Sequence, residues 1–224
     1  MKNIVYFDFC NTLVGFETAN EFVRYVIRNE GSQSSIAEMM REALTFFHLR
    51  NVANKFHKSI SVNKALWLYQ LKGLSKETIN RCAYSFYQER IKPELILPVL
   101  NKLIWYKDND YKVLIVSGGY DAYISFFSME FGVDYICTEL SYIDNTFRGK
   151  IIGRDCMNYE KPLKISDYLH KNGLHRDDLY QIGYSDSPSD IPMLSMCNER
   201  YVVMKGQSFF PSWANTIRAN VITY

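Results

Sequence analysis

Ile4-Val5-Tyr6-Phe7-Asp8-Phe9-Cys10-Asn11-Thr12 is the stretch on which the reading of the whole chain turns. Four apolar residues end abruptly on a carboxylate. A short apolar run closed by an acid or turn residue reads as a buried parallel strand. Two further runs share this form: Val113–Val116 before Ser117-Gly118-Gly119, and Leu179–Ile182 before Gly183. Helical patterns separate them, so the strands indicate βα units around a parallel sheet. In such sheets ligands bind just beyond the carboxyl ends of the strands. All three strands therefore deliver their polar endings to one edge.

Between Gly15 and about Pro93 the character changes. The stretch contains no convincing strand and is rich in helix formers and aromatics, including Phe46-Phe47, Trp67-Leu68-Tyr69 and Phe86-Tyr87. Ser75 is placed to N-cap a helix opening at Lys76-Glu77-Thr78. The expected organisation is a core formed by residues 1–14 and 94–224, with a helical cap, 15–93, inserted after the first strand. Pro93 and Pro98 mark the return to the core. A β-hairpin is expected between Tyr135 and Ile152, punctuated by Asp144-Asn145 and Gly149. From Ser208 onward surface helix and coil are expected, with Phe209, Phe210 and Trp213 serving packing.

Composition narrows the function. The 224 residues are 47% apolar and 22% charged, enough for a core. The net charge is +2, and Lys and Arg are interleaved with Asp and Glu. Nucleic-acid binding needs a clustered basic stripe, so it is not expected. Five dispersed cysteines form no C-x-x-C pair, and the four histidines lack chelating spacing. That usage fits a reducing, cytoplasmic setting. The opening apolar run is cut by Asp8 after four residues, too short for an export signal. No run approaches the ~18 apolar residues of a membrane span.

The strand ends carry the chemistry. A carboxylate such as Asp8 at a buried strand tip needs a metal, a cation or hydrogen-bond donors nearby. Ser117-Gly118-Gly119 offers a hydroxyl and exposed N–H groups suited to phosphate oxygens. Asp186 and Asp190, four residues apart in Tyr184-Ser185-Asp186-Ser187-Pro188-Ser189-Asp190, suit Mg²⁺. Lys161 is a candidate counter-ion for phosphate and for Asp8. Taken singly, each has an ordinary reading: a turn residue, a tight loop, acids at a helix N-terminus, a surface lysine. Their order is what separates them from those readings.

In that order the sequence resembles the haloacid dehalogenase superfamily. Asp8-Phe9-Cys10-Asn11-Thr12 looks like its first motif, D-x-D-x-T, and Val116-Ser117-Gly118-Gly119-Tyr120-Asp121 is similar to the second. Lys161 fits the third motif, and Asp186 with Asp190 the fourth. The resemblance is closest to the phosphoserine-phosphatase-like branch, which carries a helical cap after the first motif. It implies an α/β fold with a Rossmann-like parallel sheet core and an inserted α-helical cap domain. It also implies a Mg²⁺-dependent phosphatase acting on a small phosphorylated metabolite, with phosphoserine among the candidates.

On that resemblance Asp8 is the nucleophile, forming an aspartyl phosphate that water hydrolyses. Mg²⁺ would be held by Asp8, the backbone carbonyl of Cys10 and Asp186, with Asp190 supporting. Ser117, Lys161 and the N–H groups of Gly118 and Gly119 would stabilise the phosphoryl oxygens. Glu17 falls where the branch carries a substrate-contacting glutamate. Two positions depart from the pattern. Cys10 stands where phosphatases of the superfamily have an aspartate that protonates the leaving group. The branch's cap arginine falls near Trp67, leaving Arg41, Arg50 and Lys64 as nearby cationic candidates. A slow phosphatase, a phosphatase for good leaving groups, a non-hydrolytic phosphotransferase and a phosphate-binding protein all fit the Cys10 departure.

Overall fold

The computed structural model describes residues 2–33, 60–206 and 211–224. In chain order the strands are β1 (Lys2–Phe7), β2 (Lys112–Tyr120), β3 (Asp134–Thr138), β4 (Leu140–Ile143), β5 (Thr146–Ile151), β6 (Leu179–Ser185), β7 (Glu199–Met204) and β8 (Asn220–Thr223). The helices are α1 (Thr18–Glu30), α2 (Val62–Tyr69), α3 (Lys76–Phe86), α4 (Leu97–Asp108), α5 (Asp121–Phe131), α6 (Glu160–Lys171), α7 (Ile191–Leu194) and α8 (Ser212–Thr216). Six strands form one sheet in the order β3-β2-β1-β6-β7-β8. Every pairing in it is parallel. The expected α/β, Rossmann-like parallel core is therefore present.

Strand periodicity explains how both faces are covered. Val5 and Phe7 of β1, with Val113 and Ile115 of β2, enter one buried cluster. Ile4 and Tyr6, with Leu114 and Val116, enter a second. Successive side chains of a strand point to opposite faces, so each strand feeds two cores. The first cluster also holds Phe22 and Val26 of α1, Trp67 and Leu68 of α2, Ile79 and Phe86 of α3, and Tyr123 and Phe127 of α5. The second takes Ile165 and Leu169 of α6 with Met193 and Leu194 of α7. Helices read in 15–93 thus pack into the same cluster as one sheet face.

Local signals account for several boundaries. Ser75 Oγ accepts from Thr78 N at 3.0 Å and caps α3, as its sequence position leads one to expect. Ser61 Oγ does the same for α2, accepting from Lys64 N at 3.3 Å. Pro98 sits in the first turn of α4, where a missing N–H is harmless. The hairpin is formed by β4 and β5, and its turn residues Asp144 and Asn145 have φ of 49° and 58°. Two central residues at positive φ match the twist of the strands they join.

Other boundaries differ from the sequence reading. β2 continues through Ser117-Gly118-Gly119 to Tyr120, with a register shift against β3 between Val116 and Tyr120. β6 extends past Gly183 to Ser185. The tail is not only helix and coil: β8 adds a strand beside β7. Short edge strands such as β3 and β8 gain their hydrogen bonds from a neighbour distant in sequence, so a local window carries little of their signal. Trp213 packs against the second cluster, while Phe209 and Phe210 lie outside the described residues. All five cysteines are free thiols. Among the described residues no helix is long and apolar enough to cross a membrane.

Candidate active site

Skipping the hairpin, the sheet follows a 3-2-1-4-5-6 order, and the chain changes direction between β1 and β6. Ligands of open α/β sheets bind at such a switch point. The register places the polar residues there. Phe7 pairs with Tyr184, and Asp8 N continues the ladder by donating to Tyr184 O at 2.9 Å. Asp8 therefore emerges beside Ser185 and Asp186. β2 flanks β1 on the other side, pairing Phe7 with Ile115 and carrying Ser117 to the same edge.

A cavity of about 640 Å³ opens at this edge. Asp8, Cys10, Glu17, Ser117, Gly118, Lys161, Asp186 and Asp190 all line it. Gly119 does not. Its N–H is committed to Ser117 Oγ at 3.0 Å, so it is not the exposed donor expected from the sequence. β2 runs on through both glycines, and both are buried. A Cβ at Gly119 would lie 2.6 Å from Tyr123 Oη and 2.9 Å from Ile124 Cδ1. Gly119→Ala is expected to cost about 1–3 kcal/mol through overpacking. Urea unfolding should show a lower midpoint at unchanged slope.

Lys161 is buried, at 1% exposure, and binds two carboxylates. Its ammonium donates to Asp8 Oδ1 at 2.8 Å and to Asp190 Oδ2 at 2.6 Å. Ser185 Oγ donates to the same Asp190 oxygen at 2.7 Å. Thr12 Oγ1 stands 3.5 Å from Asp8 Oδ2 and 3.4 Å from Asp186 Oδ1, so the two carboxylates face one hydroxyl. Thr12 and Ser185 were not singled out in sequence as site residues. Thr12 has a usable signal, the D-x-x-x-T spacing after Asp8. Ser185 has none beyond its neighbours.

The charges are held under tension. Burial pushes the Asp8 carboxyl up to about 7, opposed by Lys161 and reinforced by Asp190 and Asp186. Burial likewise raises Asp186 to about 6. Burial works against the Lys161 ammonium, but Asp8 and Asp190 more than offset it and hold its pKa above the usual lysine range. Asp190 Oδ1 is buried without a hydrogen-bond partner. Three acids stand against one ammonium, with one carboxylate oxygen orphaned, an excess of negative charge that a divalent cation would offset.

Among the described residues no three His, Cys, Asp or Glu side chains are gathered as a metal-holding group. Mg²⁺ seldom needs one. It is usually bound by one or two carboxylates, with water and substrate oxygens filling its octahedron. Asp8 and Asp186, with the main-chain carbonyl of Cys10, fit that habit.

The surroundings of Cys10 disfavour its thiolate. Burial and then the nearby Asp8 and Glu17 carboxylates push its thiol up to about 12. Thr18 holds the sulfur, with Thr18 Oγ1 at 3.0 Å and Thr18 N donating at 3.5 Å. Thr18 Oγ1 is itself hydrogen-bonded to Tyr123 Oη at 2.7 Å.

Glu17 lines the cavity and is exposed. It is the N-cap of α1, its two oxygens accepting from Ala19 N at 2.9 Å and Asn20 N at 3.0 Å. Lys64 reaches the cavity, yet its ammonium is bound to Asp155 Oδ1 at 2.6 Å and Gly118 O at 2.5 Å. Its charge is already matched. Arg41 and Arg50 lie outside the described residues. Trp67 is buried packing, whereas Tyr69 is exposed and lies beneath Lys72.

A family model described as haloacid dehalogenase-like hydrolase matches residues 5–195. A phosphoserine phosphatase of Methanocaldococcus jannaschii is 26% identical over 194 residues, covering 86% of this chain and 81% of that protein. One of Streptococcus thermophilus is 32% identical over 85 residues, a match spanning 38% of this chain and 39% of the relative's length. Among solved structures, a Bordetella pertussis Tohama I protein of unknown function superimposes with a TM-score of 0.81 at 18% identity, covering 99% of both chains.

Proposed function

The chain belongs to the haloacid dehalogenase-like hydrolase family, and on that premise we propose that it is a Mg²⁺-dependent phosphomonoester hydrolase of the phosphoserine-phosphatase-like branch. Its substrate is a small phosphorylated metabolite taken into the cavity at the β1–β6 switch point. In this reading residues 1–14 and 94–224 form the catalytic core, and 15–93 form a cap over the cavity. The reading is carried by one observation. Asp8, Ser117, Lys161 and Asp186 come from four separate segments and line a single cavity.

Asp8 attacks phosphorus, forming an O–P bond as the bond to the leaving oxygen breaks. Water then attacks the aspartyl phosphate, releasing inorganic phosphate and restoring Asp8. Lys161 holds the Asp8 carboxylate in place and offsets the repulsion between an anionic nucleophile and an anionic ester. Ser117 donates to a phosphoryl oxygen. Bound at Asp8, Asp186 and the Cys10 carbonyl, Mg²⁺ would supply positive charge to the phosphoryl group. Asp190, fixed by Lys161 and Ser185, keeps that set in register.

A neutral, hydrogen-bonded thiol at Cys10 cannot replace a carboxylic acid as proton donor, so the leaving oxygen departs with little help. This favours substrates with good leaving groups. It also keeps a second reading alive, a phosphate-binding protein or phosphotransferase of weak hydrolytic power. Turnover of p-nitrophenyl phosphate separates the two, because its phenolate leaves unaided. Activity that appears with Mg²⁺ and disappears with a chelator is the expected result. No turnover, with phosphate binding retained, would favour the second reading.

A further inference from the structure

Lys64 makes a second contact beside its pairing with Asp155. It lies in the first turn of α2, and its ammonium reaches across to β2, where it donates to the Gly118 carbonyl. That carbonyl belongs to the Gly118–Gly119 peptide, whose N–H donates to Ser117 Oγ at 3.0 Å. A cation therefore sits on one end of an amide whose other end holds the hydroxyl of Ser117, a residue that lines the cavity. Hydrogen bonds in series polarise one another. Lys64 strengthens the Gly119 N–H as a donor, and with its acceptor site so occupied, Ser117 is a stronger donor in turn.

The surroundings keep this series in one arrangement. Asp155 Oδ1 accepts from Lys64 at 2.6 Å and from Thr138 Oγ1 at 2.5 Å. Thr138 Oγ1 in turn accepts from Cys156 N at 3.1 Å. The Lys64 and Asp155 side chains are only 12% and 11% exposed, and the Tyr120 ring lies 5.1 Å from the ammonium. A salt bridge meant only to pin α2 would need no bond to Gly118. A lysine meant to greet a substrate carboxylate would not be matched to an aspartate.

We infer that Lys64 is a positioning residue for phosphate binding, acting on Ser117 through the Gly118–Gly119 peptide. This rests on the phosphatase reading of the cavity and adds to it a link between the seating of α2 and the grip on the phosphoryl group.

A double-mutant cycle tests the inference with Lys64→Met, Ser117→Ala and the pair. The readouts are kcat/KM for p-nitrophenyl phosphate and inhibition by inorganic phosphate, both with Mg²⁺. A polarisation of up to about 30% on hydrogen bonds to a charged phosphate predicts that Lys64→Met weakens each by roughly three- to five-fold in the parent. In the Ser117→Ala background it should change them less than about two-fold, because the group it acts through is gone. Lys64→Arg should recover part of the loss. Thermal unfolding should fall equally in both backgrounds, since the stability share of the ion pair does not run through Ser117. Where Lys64→Met gives no folded protein, Lys64→Gln runs the same cycle. Equal losses in both backgrounds would overturn the inference while leaving the phosphatase reading intact. A parent protein that neither hydrolyses the ester nor binds phosphate would remove both.

Discussion

Asp8→Asn is expected to abolish turnover of p-nitrophenyl phosphate, with a loss on the order of 10⁴-fold or more, as for other nucleophile deletions. The substitution is nearly isosteric, so β1 and the Asp8 N to Tyr184 O bond should persist. What disappears is the anionic oxygen that forms the bond to phosphorus. The Lys161 contact would weaken too, since a neutral amide replaces a charged acceptor at 2.8 Å. Lys161 keeps Asp190 as a partner, which limits the damage to the fold. The measurement is steady-state rate beside an unfolding curve. A variant that is folded and still turns over at more than about a hundredth of the parent rate would mean that Asp8 is not the nucleophile.

Cys10→Asp is expected to raise hydrolysis by about 10²–10⁴-fold, the usual worth of a placed general acid or base. The gain should be largest for alkyl phosphates, whose leaving oxygens need a proton, and smallest for p-nitrophenyl phosphate. Comparing the two esters thus reads the acid role directly. The neighbourhood is prepared for a carboxylate in one respect, because Thr18 N and Thr18 Oγ1 both contact the sulfur. It opposes one in another, since Asp8 and Glu17 already add negative charge there. Unchanged or reduced activity on both esters would place the proton donor elsewhere, or identify a different chemistry.

The candidate site was legible in sequence to the extent that its residues end strands. Asp8, Ser117 and Asp186 each follow an apolar run, and the period of burial marks those runs clearly. Residues whose role depends on a partner far along the chain were harder to read. Lys161 looks like any lysine near a helix start, and only the docking of α6 makes it a buried ion between two aspartates. Glu17 carries no sign that both of its oxygens would be spent on the N-terminus of α1. A strand read as ending at Val116 leaves the Gly119 N–H exposed, whereas the structure commits it to Ser117 Oγ. The pairing of Tyr120 with Thr138 of β3 extends β2 past that point.

What the sequence determined was the alternation of short apolar runs with helical stretches, and with it a parallel sheet whose strand tips carry acids, a serine and glycines. Those features are local, since side-chain period and turn residues act within a few positions. The order β3-β2-β1-β6-β7-β8, the hydroxyl of Thr12 between two carboxylates, and the path from Lys64 through a peptide to Ser117 were decided by tertiary structure. Each depends on strand register and helix docking between segments far apart in the chain, such as Phe7 paired with Tyr184. Burial energy summed over the whole core selects that arrangement, and no short window of residues contains the sum.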